Sequence, residues 1–458
     1  ARSTSTPASS RAGGVSFDLA IEGGDVVTPR GRARLHVYID DGRVAAVSGE
    51  RHDARERVDA DGLLVMPGMV DAHVHFMDPG DSSREDFPTG TAAAARAGVT
   101  TVLEHTHAAP VISAEDLAGK REYLRDRAVV DFGLAAHAWP DRLGEVEGVW
   151  RAGAAFVKAF TCATHGVAAF DAAALQRLFG LAARCGAVCL VHAEDESLTA
   201  SAERELRATG REDGGVVPAW RNREAELTAL AVTALSARLT GARVAAAHVS
   251  HADALELADG LIVESCPQYL TLREDDVLER GAFRKFTPPA RARSGEDLET
   301  MWRALAERRI DFISSDHAPS TAAQKQAGSI WDVHFGLPGV DTTFSVLLDG
   351  AHAGLIGYER VVEAYSEAPA RLYGLWPAKG TLDPGTDADV VLVDPDERWT
   401  VRDEDILSRA GWSPFAGRTL TGRAVRTYVR GQLVADAGRV TGEPGSGRFV
   451  AGAGQPTS

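Results

Sequence analysis

The sequence predicts an α/β chain: a parallel (β/α)8 barrel with a small composite β-sandwich domain built from both chain ends. Three observations predict it. Between residues 67 and 379, apolar β-type runs alternate with helical stretches rich in Ala, Leu, Arg and Glu, the signature of a parallel sheet closed by crossover helices. The flanking segments 16–66 and 380–446 read as strands without helices. Several barrel runs end in His, Lys or Asp, and in a parallel barrel functional side chains sit at the C-terminal strand ends, around one mouth.

In chain order, residues 1–15 are rich in Ser, Ala, Thr and Gly and lack an apolar core segment. They read as a disordered tail rather than a signal peptide. In 16–66, Leu35–Ile39 runs into Asp41-Gly42 and then Val44–Val47. Asp-Gly between alternating apolar runs signals a hairpin. Pro67-Gly68 marks a turn into the first barrel strand. The barrel strands are expected near 66–75, 99–104, 129–136, 154–160, 187–192, 243–249, 261–265 and 310–315, with helices such as 89–97, 171–184, 223–239 and 295–309. Strands return in 380–446, including Ala388–Asp394 and Val425–Val434 with a turn at Arg430-Gly431. The Gly- and Pro-rich end, 447–458, reads as a mobile tail.

Composition narrows the function classes. The chain has 458 residues, 44% hydrophobic and 25% charged, with a formal net charge of −16. That length suits a large barrel plus a second domain. The acidic balance argues against a nucleic-acid or anionic-membrane partner, which would call for a basic stripe. No apolar run approaches the about 20 residues needed to span a bilayer. The four cysteines form no C-x-x-C pair, so free thiols in a reducing cytoplasm are expected.

The chemistry centres on Asp71-Ala72-His73-Val74-His75. On a strand of period two, His73 and His75 share a face and could grip one metal ion. An isolated H-x-H carries little weight. Here the fourth strand contributes Lys158, the fifth ends in His192, the sixth in His248 and the eighth in Asp316. Singly, each has a plain structural reading: a core histidine, an edge lysine reaching solvent, a helix-capping aspartate. Together, four histidines, a lysine and an aspartate on five strand ends point to a metal site.

The set resembles the cyclic amidohydrolase branch of the amidohydrolase superfamily: dihydroorotases, allantoinases and hydantoinases or dihydropyrimidinases. The resemblance rests on PGMVDAHVHFMDPG (67–80), SREDFPTGTAAAARAGVTTV (83–102), FVKAFTCATHGV (156–167), VHAEDE (191–196), HVSH (248–251), ESCPQYL (264–270), FTPPARA (286–292), SSDHAPS (314–320) and GTLDPGTDADVVLVDP (380–395). It implies a barrel with two divalent metal ions, usually zinc. His73, His75 and Asp316 would hold the first ion and His192 and His248 the second. Lys158, N-carboxylated by CO2, would bridge them, and Asp316 would shuttle the proton from the attacking hydroxide to the leaving nitrogen. The implied substrate is a small cyclic amide, and the expected assembly a homodimer or homotetramer.

The substrate-reading positions depart from each subgroup. Met77 stands where dihydroorotases carry a carboxylate-binding arginine and allantoinases usually an asparagine. Glu104-His105-Thr106-His107 replaces the dihydroorotase asparagine region, Ser320 replaces a second histidine, and Ala163 stands at the hydantoinase tyrosine. Met77, His105, His107, His317, Pro288 and Gly339 are the candidate substrate contacts, and His165, His251 and His334 are further loop candidates. The reading is a binuclear hydrolase of cyclic amide, ureide or imide C–N bonds, allantoinase- or dihydroorotase-like with its own pocket. The alternatives are a hydantoinase-type activity, a single-metal deaminase, which would lack the bridging lysine, and a non-catalytic scaffold, which would have lost ligands.

Overall fold

The computed structural model describes residues 16–454. The expected disordered tail, 1–15, lies outside the described residues. The eight barrel strands run Met69–Val74, Val99–Glu104, Asp131–Leu134 with Ala136–His137, Val157–Phe160, Val188–His192, Arg243–Ala246, Ile262–Ser265 and Phe312–Ile313. All neighbouring pairs are parallel. The third strand breaks at Ala135: Asp131–Leu134 pairs with the second strand and Ala136–His137 with the fourth. The eighth strand returns to the first through a bridge between Val74 and His317, where the His75 N–H donates to the His317 carbonyl at 2.7 Å.

The expected first strand, 66–75, divides at Gly68. Leu64–Pro67 belongs to a different sheet, and only Met69–Val74 enters the barrel. A Cβ at Gly68 would lie 2.1 Å from Thr100 Oγ1, so only glycine lets the chain cross between layers here. Helices start and stop where local chemistry dictates. Arg223–Thr240 runs from Asn222, whose side chain accepts from the Ala225 N–H, to left-handed Gly241, a capping pair that satisfies both ends.

The second sheet has nine strands: Phe17–Thr28, Gly31–Asp40, Arg43–Ser48, Ala54–Asp59 and Leu64–Pro67 from one chain end, and Val390–Thr400, Thr419–Val429, Gln432–Asp436 and Arg439–Val440 from the other. Val390–Thr400 lies antiparallel to Leu64–Pro67, with Val391 opposite Met66 and Leu392 opposite Val65. A separate apolar core unites Leu19, Ile21, Val37 and Ile39 with Leu382, Val390 and Leu392. Asp41 and Gly42 both take positive φ at the hairpin between the second and third strands, as a type I′ turn requires. Arg430-Gly431 repeats the device in the C-terminal half.

Of the expected mobile tail, 447–458, residues 455–458 lie outside the described residues, and 447–454 pack against the barrel. The Phe132 N–H donates to the Arg448 carbonyl, the Val450 N–H donates to Phe132, and Phe449 stacks edge-on against Phe132. The glycines that suggested mobility permit this approach: a Cβ on Gly447 or Gly454 would meet the barrel backbone near 2 Å, at the Val130 and Trp150 carbonyls respectively. Among the described residues, no helix is long and apolar enough to cross a membrane.

We propose that 16–66 and 380–446 fold as one unit welded to the barrel 67–379. Buried Lys379 contacts Asp131 on the third barrel strand together with Asp387 and Asp389 beside the second sheet, and Arg430 also reaches Asp131. Removing one member of such a buried cluster leaves its partners uncompensated. Lys379→Met should therefore cost about 3 kcal/mol or more, read as a lower denaturant midpoint. The fragment 67–379 expressed alone should be insoluble, and a soluble, cooperatively folding fragment would refute the unit.

Candidate metal centre

One cavity at the C-terminal mouth of the barrel is lined by His73, His75, Lys158, His192, His248 and Asp316, together with His107, Phe160, His165, Thr287, Ala318, Phe335 and Gly336. The parallel register explains the convergence. Phe160 lies opposite His192 across the fourth and fifth strands, so the side chains at these ends meet at one height. His248 and Asp316 lie just beyond their strands and take positive φ, 40° and 47°. Such backbone is uncommon for residues other than glycine and occurs at functional sites; here it accompanies side chains that line the cavity.

The first-strand histidines are held by outer partners. His73 Nδ1 donates to the Glu264 carboxylate, 2.9 Å from Oε2, and His75 Nδ1 donates to the His105 carbonyl at 3.2 Å. Each bond fixes a tautomer and leaves Nε2 with a free lone pair. Those two Nε2 atoms stand 3.3 and 3.6 Å from Asp316 Oδ1. On the other side, His192 Nδ1 lies 3.0 Å from His248 Nε2, and His192 Nε2 lies 2.8 Å from Glu194 Oε2. Thr287 Oγ1 donates to Glu194 at 2.5 Å, and the guanidinium groups of Arg221 and Arg291 approach it.

Lys158 is buried, and its Nζ has no hydrogen-bond partner. Burial lowers its pKa to about 8. Burial, followed by the positive charge of Lys158, holds His73 and His75 well below the ordinary imidazole range, and burial with the neighbouring cationic groups does the same for His248. Burial raises Asp316 to about 8 and Glu264 to about 7. Neutral imidazoles are the form that ligates metals. Among the described residues, two groups of side chains have metal-binding spacing: His73 with His75 and His105, and His192 with Cys162 and Glu194.

The other sequence candidates scatter. His107 and His165 line the cavity with stacked rings, centroids 4.2 Å apart. His105 lies behind the lining, its ring against His73 and His75. Met77 is buried outside the lining, its sulfur accepting from the Thr106 hydroxyl. His317 turns away: its Nδ1 accepts from the Gly339 and Val340 N–H groups, and its Nε2 faces Glu85. Gly339 thus positions His317, and a Cβ there would lie 2.8 Å from the Ser315 carbonyl. Pro288 follows a cis bond and its carbonyl accepts from the Tyr269 hydroxyl, while Thr287 before it lines the cavity. His251 sits against Glu226. His334 is exposed, outside the lining, its carbonyl accepting from Lys325. Sequence reasoning missed Glu264, Glu194, Thr287, Phe160 and Phe335. A glutamate closing the apolar run Leu261–Val263 was the one readable signal for Glu264.

Comparison with known proteins agrees with this geometry. The amidohydrolase family model matches residues 64–434. An allantoinase from Rubrobacter xylanophilus is 37% identical over 450 residues, 95% of this chain and 97% of its own. A dihydroorotase from Halobacterium salinarum is 35% identical over 429 residues, 91% of this chain and 97% of its own. The solved L-hydantoinase (dihydropyrimidinase) from Arthrobacter aurescens superposes with a TM-score of 0.91 at 33% identity, covering 95% of this chain and all of that one. The fold, the metal-type cavity and these matches agree: the chain belongs to the amidohydrolase family.

Proposed function

We propose that the protein is a binuclear-metal hydrolase that opens the C–N bond of a small cyclic amide, ureide or imide. The observation that carries this reading is the convergence of four neutral imidazoles, Asp316 and an unpartnered buried Lys158 on one cavity. A lone ammonium buried in this way is strongly unfavourable, whereas a carbamate anion between two cations is not. His73, His75 and Asp316 would hold the first ion and His192 and His248 the second. Carboxylated Lys158 would bridge them. Nitrogen and carboxylate donors without thiolate suit zinc. When bound, the metal pair supplies Lewis acidity for the ring carbonyl and lowers the pKa of the attacking water.

The remaining chemistry belongs to the chain. The Lys158 amine, its pKa lowered by burial, is present in part as the free base at neutral pH and adds CO2, releasing one proton. Asp316, within 3.6 Å of both first-strand Nε2 atoms, takes the proton from the attacking water and delivers it to the leaving nitrogen. Glu264 and the His105 carbonyl keep the imidazoles oriented. Phe160, Phe335 and the stacked His107–His165 pair form the wall that the substrate ring meets. The names of the relatives support allantoinase- or dihydroorotase-like chemistry, and the likeness to the solved L-hydantoinase favours a hydantoin-type ring as the second reading. The four free cysteines support a cytoplasmic setting. A homodimer or homotetramer is the proposed assembly.

A panel of allantoin, dihydroorotate, dihydrouracil, hydantoins and succinimide, assayed for ring opening, tests the reading. Dihydroorotate should be turned over weakly or not at all, because no arginine among the described residues lines the cavity and Met77, packed outside it, offers its carboxylate no cation. Dihydroorotate turnover matching the best substrate would sink that expectation. Lys158→Ala should lower turnover by at least about a thousandfold while the far-ultraviolet circular dichroism stays unchanged, the scale of loss expected when one catalytic element is removed. Short carboxylic acids should restore part of its activity. Lys158→Arg should not respond to them, since a guanidinium forms no carbamate.

A further inference from the structure

His105 ends the second barrel strand's run into the mouth, directly after Glu104. The Glu104 carboxylate is held by Lys120 at 2.6 Å. By strand alternation the next side chain points to the opposite face, into the barrel. There the His105 ring packs between His73 and His75, with centroids 4.5 and 4.3 Å away, over Phe156 at 5.1 Å. Its backbone is fixed from two sides, since the His105 carbonyl accepts from His75 Nδ1 and from His137 Nε2. Yet neither nitrogen of this fully buried ring has a hydrogen-bond partner. A ring kept only for packing could as well be a methionine or phenylalanine, which would bury no unsatisfied polar atoms. Ligand nitrogens of His73, His75 and His105 lie within 4.8 Å of one another. Small side-chain rotations would bring them to the about 3.4 Å separation set by zinc–nitrogen bonds near 2.05 Å.

We infer that His105 is an additional ligand of the first metal ion, completing a three-imidazole site with His73 and His75. The inference rests on the binuclear reading above and goes beyond it in one respect. Three neutral imidazoles suffice to hold a zinc ion, so the first ion would be retained when the carboxylated lysine is absent. The second ion, left with His192 and His248, would depend on the bridge. Loading would then be ordered: first ion, then CO2 and second ion together.

The test uses the full-length chain stripped of metal and titrated with Zn(II) or Co(II). Wild type should take up two ions per chain, and Lys158→Ala one. His105→Met should bind the first equivalent about tenfold or more weakly, and the double variant Lys158→Ala/His105→Met should hold none tightly. X-ray absorption on wild type loaded with one equivalent should count three imidazoles, which tests the claim even where a His105 variant folds poorly. Two imidazoles in that spectrum, or first-ion affinity unchanged in His105→Met, would overturn the role of His105 while a two-ion wild type left the binuclear reading standing. A wild type that takes up no ion at all would overturn both.

Discussion

The arrangement depends on one electrostatic constraint: a lysine amine buried among imidazoles with no acceptor of its own. Lys158 Nζ lies inside the barrel with Phe160 as its ring neighbour at 5.3 Å. Desolvating a charge in this way is worth several kcal/mol against the charged form. The fold does not relieve the cost with a direct carboxylate partner. Burial, with the positive charge of Lys158 beside it, disfavours protonation of the neighbouring imidazoles. In the proposed reading, carboxylation would replace that cation with an anion and remove the repulsion that a metal ion would otherwise meet there. Stability and function are opposed at this point of the chain. The surrounding buried hydrogen bonds, Ser315 N–H to Asp71 and Tyr365 hydroxyl to Asp71 among them, hold the strand ends in place.

Much of the fold was legible because its signals are local. Apolar runs, helical stretches and the turns at Asp41-Gly42 and Arg430-Gly431 are decided within a few residues. The metal-type side chains were legible because each ends an apolar run, and a parallel barrel brings all such ends to one mouth. What stayed hidden is set at long range. Glu264 supports His73 from 191 positions away, and nothing near either residue announces the pair. His317, one residue beyond Asp316, was a candidate contact. The positive φ at Asp316 turns the chain so that His317 faces Gly339, Val340 and Glu85 instead. Met77 also has positive φ, which packs it beneath Thr106 rather than into the cavity. The C-terminal glycines misled for a related reason. Composition registers glycine as freedom, while here the missing side chain serves close packing of backbone on backbone.

The division between what is rigid and what is exchangeable follows from the same architecture. Lys158 and His192 lie on strands, His73 lies on a strand with His75 just past its end, and Glu264, the His105 carbonyl and Glu194 orient the His73, His75 and His192 rings respectively. The cavity wall comes from elsewhere: His107 and His165 from loops, Thr287 from the turn before a cis proline, Phe335 and Gly336 from the segment after the eighth strand. Loops on a fixed barrel can change their side chains without disturbing the strand ends. That separation accounts for relatives named for three different rings sharing one scaffold. In the proposed reading it also sets where selectivity would arise. A stacked histidine pair and two phenylalanines offer hydrogen-bond donors, acceptors and flat apolar surface but no fixed cation. Such a wall would discriminate by ring shape and by the edge of an amide or ureide, because a substrate carboxylate placed against it would lose its hydration without gaining a charged partner.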